Sequence, residues 1–353
     1  MIRPMRKSHW CSVVVCMLGL AACGSKHPSV GDGDGGMDGA PGDGVSADAA
    51  SIQPPSCVGL AVTCGDSGND SCCHSLEVPG GTYHRSYDLA GDTNSGTTVF
   101  PATVSDFRLE KYEVTVGRFR AFVQAGMGTQ ANPPTAGDGA HARIAGSGWD
   151  ASWNTKLVAN TTDLIAAMKC SSTVQTWTDT PGSNENRPMN CLTWYEAMAF
   201  CAWDGGYLAT EAEWNYAAAG GDQQRAYPWS NPASSVMIDG SHASYSDGTT
   251  CVGDGMAGCA LTDLVAVGTK PAGDGRWGQS DLAGNVDEWT FDWTATYLLP
   301  CMDCAALTPT AVRTVRGGGY EQTATDVRAS LRGGLPPENR FPGVGVRCAR
   351  SAP

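Results

Sequence analysis

Between Arg187 and Gly221 the chain reads RPMNCLTWYEAMAFCAWDGGYLATEAEWNYAAAGG, and it starts a helix twice in quick succession. Thr193-Trp194-Tyr195-Glu196 and Thr210-Glu211-Ala212-Glu213 are both Thr-x-x-Glu boxes. In such a box the hydroxyl accepts an amide near the helix start, and the Glu reaches back to the cap's own N–H. Ala197, Met198, Cys201 and Ala202 follow at helical spacing, so the first helix is expected to bury one apolar face and turn a cysteine inward. Gly205-Gly206 stops it, because glycine tolerates the left-handed conformation that a helix end adopts. Trp214, Ala217 and Ala218 give the second helix its buried side, and Gly220-Gly221 closes it. Any fold for this chain must hold two short, firmly capped helices joined by a tight turn.

What surrounds them is loop. With 353 residues, 41% of them hydrophobic, the chain buries a substantial core as one large domain or two small ones. Its 45 glycines, 20 prolines and 11 tryptophans predict irregular segments whose gaps aromatic side chains fill. A formal charge of −13 argues against nucleic acid and against an anionic membrane surface, since both need a basic face.

The first 23 residues read as a targeting segment. Arg3, Arg6 and Lys7 precede a short apolar run from Trp10 to Leu20, too short to span a bilayer comfortably. The run ends in Leu20-Ala21-Ala22-Cys23, which looks like the lipobox of bacterial lipoproteins, with Cys23 as the lipidated first residue of the mature chain. An ordinary signal peptide cut nearby is the alternative. Gly24 after the cysteine, by resemblance to Gram-negative sorting, points to the outer membrane. Residues 24–55 follow as an acidic, Gly-rich tether that lacks the apolar area to fold. Asp32, Asp34 and Asp38 within it lack the bidentate Glu of a calcium-binding EF-hand.

Fifteen cysteines, less Cys11, Cys16 and Cys23, leave twelve, an even number that suits a chain oxidised outside the cytoplasm. Cys57, Cys64, Cys72 and Cys73 crowd into residues 56–75, expected to form a small cap with two disulfides. The rival reading there, a zinc site, has only the lone His74 to offer. Cys251 and Cys259 stand close enough to bridge locally. Cys301-Met302-Asp303-Cys304 is a C-x-x-C without a βαβ context, which favours a plain disulfide over a redox motif.

From residue 76 to 353 the main domain runs on. Val78 to Tyr83 reads as a turn into a strand, Phe107 to Tyr112 as another, and Val116, Phe119, Phe122 and Val123 as a helix after Thr115. Residues 132–186 look irregular, with a short helix from Ile165 to Cys170.

Five stretches taken in order carry a family resemblance: Arg108-Leu-Glu-Lys-Tyr-Glu-Val-Thr115, TEAEWNYAAAGG, Asp281-Leu-Ala-Gly-Asn-Val-Asp-Glu-Trp289, Val315-Arg-Gly-Gly-Gly-Tyr320 and Gly345-Val-Arg-Cys-Ala349. Together they resemble the formylglycine-generating enzyme (sulfatase-modifying factor) family. The resemblance implies an α+β, loop-rich, C-type-lectin-like fold with little regular secondary structure. It implies a disulfide between Cys201 and Cys348, and a structural calcium ion held by Asn285, Glu288 and the carbonyl of Val286. An Asn capping the turn and a Glu paired to an arginine is the plainer alternative at that turn. The family's oxidation of a substrate cysteine uses Cu(I) held by two cysteines just after a Gly-Gly-Ser-Tyr motif. Here no cysteine lies between Cys304 and Cys348. Gln322 and Val327 occupy the ungapped ligand positions, and Gly319 replaces the Ser. No copper is therefore expected. His84 and His242 offer no metal-ligand spacing, and no other catalytic fingerprint appears. The expectation is a lipid-anchored, non-catalytic module that binds an envelope protein or glycan. The alternative is an oxidoreductase of the same family with a different metal centre.

Overall fold

A computed structural model describes residues 53–91 and 97–353. The expected signal segment, Cys23 and the tether up to residue 52 lie outside the described residues. Regular structure begins with Ser75–Val78 (β1), Gly81–His84 (β2), Pro101–Val104 (β3) and Phe107–Glu110 (β4). Helices Val116–Gln124 (α1), Thr161–Ala167 (α2) and Trp194–Trp203 (α3), strand Tyr207–Leu208 (β5) and helix Glu211–Ala218 (α4) follow. Asp287–Trp293 (β6), Arg313–Arg316 (β7), Gly333–Leu335 (β8), Val344–Val346 (β9) and Cys348–Ser351 (β10) complete the chain. One sheet has the order β1-β4-β10-β5 and a second β8-β7-β6-β9, with β2 and β3 pairing by themselves. The fold is α+β and loop-rich.

Both Thr-x-x-Glu boxes form. Thr193 accepts from the Glu196 amide at 3.2 Å and Glu196 accepts from the Thr193 amide at 3.0 Å. Thr210 and Glu213 do the same for α4 at 3.1 and 2.9 Å. Such a cap stabilises its helix by about 1 kcal/mol. The helix expected from Ile165 to Cys170 starts earlier, at Thr161, because Asn160 caps it by accepting from the Asp163 amide.

The expectation of one buried face per helix fails for α4. Every residue from Glu211 to Ala218 is buried. The polar positions that a helical wheel would send to solvent find partners inside the protein. Glu211 pairs with Arg316 and Arg332, Glu213 bonds His141 and Tyr207, and Asn215 bonds the Ser86 amide and the Ala329 carbonyl. A helix enclosed on all sides must satisfy its polar groups this way. The two largest apolar clusters lie one around α1, α3 and β6, the other around α4 and the β1-β4-β10-β5 sheet.

Residues 56–75 carry the bridges Cys57–Cys73 and Cys64–Cys72. They belong to the same compact unit as the rest, and the boundary expected after residue 75 falls inside β1. Arg118 of α1 explains the union. Its guanidinium donates to Ser56 Oγ and the Cys72 carbonyl while pairing with Glu110 and Asp204. Arg350 joins the same two carboxylates. Cys201 of α3 is bonded to Cys348 of β10, 147 residues away in sequence. Cys251–Cys259 and Cys301–Cys304 are local bridges, and Cys170–Cys191 is one the spacing did not suggest.

Candidate functional site: a glycine-walled acidic cleft

The turn before β6 and the turn after β7 are laced together. The Gly284 amide donates to the Gly317 carbonyl at 3.1 Å, and the Tyr320 amide to the Asn285 carbonyl at 2.9 Å. Gly317 and Gly318 hold φ of 98° and 71°, a region open to glycine and costly for other residues. The absence of side chains there lets the backbone approach Asp287, whose Oδ1 accepts the Gly318 amide at 3.1 Å. Asp287 Oδ2 accepts from Nε2 of Gln322 at 2.6 Å.

These groups border a cleft of about 400 Å³. Its apolar wall includes Val315, Leu335, Phe341 and Val344, and its carboxylates are Asp287, Glu321 and Asp326. The Arg316 guanidinium, from the same turn, is committed elsewhere, to Glu211, Ser86, Tyr297 and the Leu331 carbonyl. Burial pushes the Asp287 carboxyl up to about 7, against the pull of its hydrogen bonds from Gly318 and Gln322. The cleft therefore combines an apolar body with hydrogen-bond acceptors, one of which changes charge near neutral pH.

Gln322, which lines the cleft, and Val327, which is buried behind it, both lie close to Gly318. A Cβ placed on Gly318 would lie 2.8 Å from a Val327 methyl and 3.0 Å from Gln322 Oε1. The positions that the resemblance gives to two copper ligands are thus neighbours in space. They present a carboxamide and an isopropyl group, neither of which is a soft donor for Cu(I). All twelve cysteines among the described residues are used in six disulfides. These residues do not fit a copper centre.

The calcium turn is more mixed. Glu288 Oε1 and Oε2 accept from Arg347 at 2.8 to 3.1 Å, and Oε2 also from the Trp214 indole at 2.7 Å. That is the plainer reading of a Glu paired to an arginine. The Asn285 amide donates to Glu113 at 2.6 Å, and the Val286 N–H donates to the same carboxylate at 3.2 Å. Asn285 Oδ1, however, is buried and accepts nothing. Glu113, Asp281 and Glu288 are all buried near one guanidinium, that of Arg347. Burial, with the Asp281 and Glu288 charges, drives the Glu113 carboxyl well up, and burial raises Asp281 to about 6. An oxygen without a donor and a surplus of buried carboxylates fit a hard cation beside Asn285. Among the described residues no three His, Cys, Asp or Glu side chains form a metal-binding group, so such an ion would rest on Asn285 and carbonyl oxygen as well.

His84 and His242, which offered no metal-ligand spacing in the sequence, stand in different settings. His84 meets Tyr87 edge-on, while His242 stacks on Trp229 and bonds Asp239. Sequence reasoning missed Glu113, Asp281 and Asp287 as site residues. All three sit inside the motif stretches quoted above, but only the laced turns show which carboxylate faces which.

Comparison with known proteins follows the same lines. Residues 63–352 match the Sulfatase-modifying factor enzyme 1-like domain. The formylglycine-generating enzyme of Mus musculus is 32% identical over 174 residues, which span 46% of this chain and 44% of that protein. The inactive C-alpha-formylglycine-generating enzyme 2 of Bos taurus is 26% identical over 304 residues, spanning 81% of this chain and 90% of that one. PvdO from Pseudomonas aeruginosa shares the fold, with a TM-score of 0.53 at 18% identity, over 79% of this chain and 94% of its own.

Proposed function

The chain belongs to the sulfatase-modifying factor family, and from that membership we propose a non-catalytic binding or assembly module rather than a formylglycine-generating oxidase. One observation carries the reading. The two ligand positions meet at Gly318, but as Gln322 and Val327. A fold can outlive its chemistry, because the residues that pack and cap it are separate from those that react. Similarity to an inactive relative over 81% of the chain is consistent with this reading.

The cleft is the binding site in this proposal. A ligand with an apolar body would lie against Val315, Leu335 and Phe341 and direct donor groups at Asp287, Glu321 and Asp326. Gln322 fixes the Asp287 carboxylate, so that acceptor is held in place before a ligand arrives. An envelope protein or a glycan suits this chemistry, and a nucleic acid does not. Lipidation of Cys23 would anchor the chain to the outer membrane, with residues 24–55 as the tether. The six disulfides agree with an oxidising compartment. A structural calcium ion at Asn285, the Val286 carbonyl and Glu288, with Glu113 supplying charge beside it, would stiffen the turn that forms one wall of the cleft.

The test has two arms. Copper-treated protein is incubated with a peptide bearing Cys-x-Pro-x-Arg and the peptide is followed by mass spectrometry; no aldehyde above the free-copper rate is expected. Conversion of the cysteine would overturn the proposal in favour of an oxidoreductase. In the second arm, glycan and envelope-protein arrays are probed with the chain and with Gly343→Trp. A Cβ at Gly343, on the cleft's edge, meets no atom within 4 Å, so a side chain can leave the backbone there without a clash. Binding should be lost in the variant, and equal binding would place the ligand elsewhere.

A further inference from the structure

The bond between Cys301 and Cys304 has a sequence separation of 3, against 8, 8, 16, 21 and 147 for the other five. Loop-closure entropy grows with the logarithm of the enclosed length, so this bridge restrains the unfolded chain least of the six. Its surroundings set it apart as well. Nη1 of Arg85 lies 3.5 Å from Sγ of Cys304. Arg85 is only 4% exposed, its guanidinium rests 4.3 Å from the Tyr297 ring, and its Nη2 donates to the Leu298 carbonyl at 2.6 Å. Among the described residues no carboxylate pairs with it. A buried cation that no described carboxylate pairs with is thus pressed against a sulfur atom.

The other charges nearby are turned away. The Asp303 carboxylate, between the two cysteines, accepts from the Ser105 amide and hydroxyl at 2.7 Å and lies 3.7 Å from Arg143. Around the bridge the surface is apolar. Leu298, Leu299 and Met302 are 48%, 55% and 75% exposed. Cys301 is buried and Cys304 only partly so, which makes Cys304 the more accessible residue of the pair.

We propose that Cys301–Cys304 is a thiol–disulfide exchange site, separate from the cleft, that accepts two electrons from a protein dithiol carried on an apolar segment. A thiolate of the incoming dithiol attacks Sγ of Cys304; the Cys301–Cys304 bond breaks, and Cys301 leaves as a thiolate that takes a proton. The second thiol of the partner, deprotonated, then attacks its own sulfur in the mixed disulfide and expels Cys304. The products are the partner's disulfide, the Cys301 thiol, and the Cys304 thiolate facing Arg85, with one proton released to water. Arg85 stabilises that last thiolate, which favours the reduced form and makes the pair the more oxidising. Leu298, Leu299 and Met302 supply a surface on which an apolar chain segment can rest while the sulfurs exchange.

The full chain, oxidised, is equilibrated in a series of glutathione buffers, quenched with a thiol-alkylating reagent and mapped by peptide mass spectrometry. Cys301 and Cys304 should take label at glutathione ratios that leave the other five bridges intact. In the reduced pair, the pH midpoint for alkylation of Cys304 should fall one unit or more below the roughly 8.5 of a free cysteine. Arg85→Gln should return that midpoint toward the free value and shift the equilibrium about tenfold toward the disulfide, a pH readout that a purely packing role would not move. Arg85→Lys, which keeps the charge, should retain part of the effect. Should Arg85→Gln fail to fold, the order of reduction in the unaltered chain decides. Reduction no earlier than that of Cys251–Cys259, or a free-cysteine midpoint for Cys304, would overturn the proposal.

Discussion

Gln322 holds Asp287 by a 2.6 Å hydrogen bond from its carboxamide, at one of the two positions where the family resemblance places a metal-binding thiolate. The second position, Val327, packs behind the same glycine. An amide that fixes a carboxylate now stands where a soft ligand would stand.

That geometry is testable by restoration. Gln322→Cys with Val327→Cys should create a thiolate pair able to hold one Cu(I) per chain against a competing chelator. Neither single variant should do so, because Cu(I) needs both soft donors. Failure of the double variant, with both new thiols shown to be free, would mean that the two positions do not face one another.

The Cys201–Cys348 bridge should be the most stabilising of the six. By the loop-entropy model a bond spanning 147 residues contributes about 4–5 kcal/mol, less any native strain. Replacing both cysteines with alanine should lower the urea midpoint accordingly. A loss below ~1 kcal/mol would show that the buried ion pairs between α1, β4 and β10 already hold those elements together.

Much of this architecture was legible from local signals. The two Thr-x-x-Glu caps, the glycine stops and the helix after Thr115 depend on residues within a turn of one another, and they appear as expected. The long-range charge pairs were not legible. Arg347 meets Glu288 across 59 residues, and Arg350 meets Glu110 across 240, with nothing in the chain to say which arginine serves which carboxylate. The amphipathic reading of α4 failed for the same reason. Its polar residues are matched by distant partners, so polarity did not mark the solvent side. The cleft itself was not read from the sequence: the motifs contain Val315 to Tyr320 and Asp287, whereas Leu335, Phe341 and Val344 lie outside them, and the hydrogen-bonded lacing that sets Asp287 between the turns exists only in the fold.

Calcium should raise the melting temperature, and a chelator should lower it. Asn285→Ala removes the buried oxygen that accepts nothing, so this variant should lose the calcium response, along with the hydrogen bond to Glu113 and with an alanine held at φ 62°. Glu288→Ala should lose it too, with a further penalty of about 3–5 kcal/mol from stranding the buried Arg347 guanidinium. A melt that does not change with chelator would leave the turn as ordinary hydrogen-bonded structure.

Asp292 gives the folded state a signed pH dependence. Its carboxyl accepts the amides of Glu211 and Ala306, yet burial foremost, with the neighbouring Glu211 charge, raises it from 3.8 to about 6. The folded chain therefore holds this proton more tightly than the unfolded chain. Stability contributed by the protonated group is present below about 4 and lost as pH rises through about 6, by about 3 kcal/mol at most. Asp292→Asn should flatten the fall in unfolding free energy across that window. An unchanged slope would show that other groups, Glu113 and Asp281 among them, dominate it.

The position of β10 bears on how the chain can be made. It lies between β4 and β5 in one sheet, while β9, just before it, pairs with β6 in the other and lends Val344 to the cleft. A ribosome that stops short of Val344 thus delivers a product with a gap in the first sheet, an open edge on the second and Cys201 without its partner. Such a fragment keeps the other residues of the cleft, Asp287 to Gly343, but lacks the strand that joins them to the first sheet.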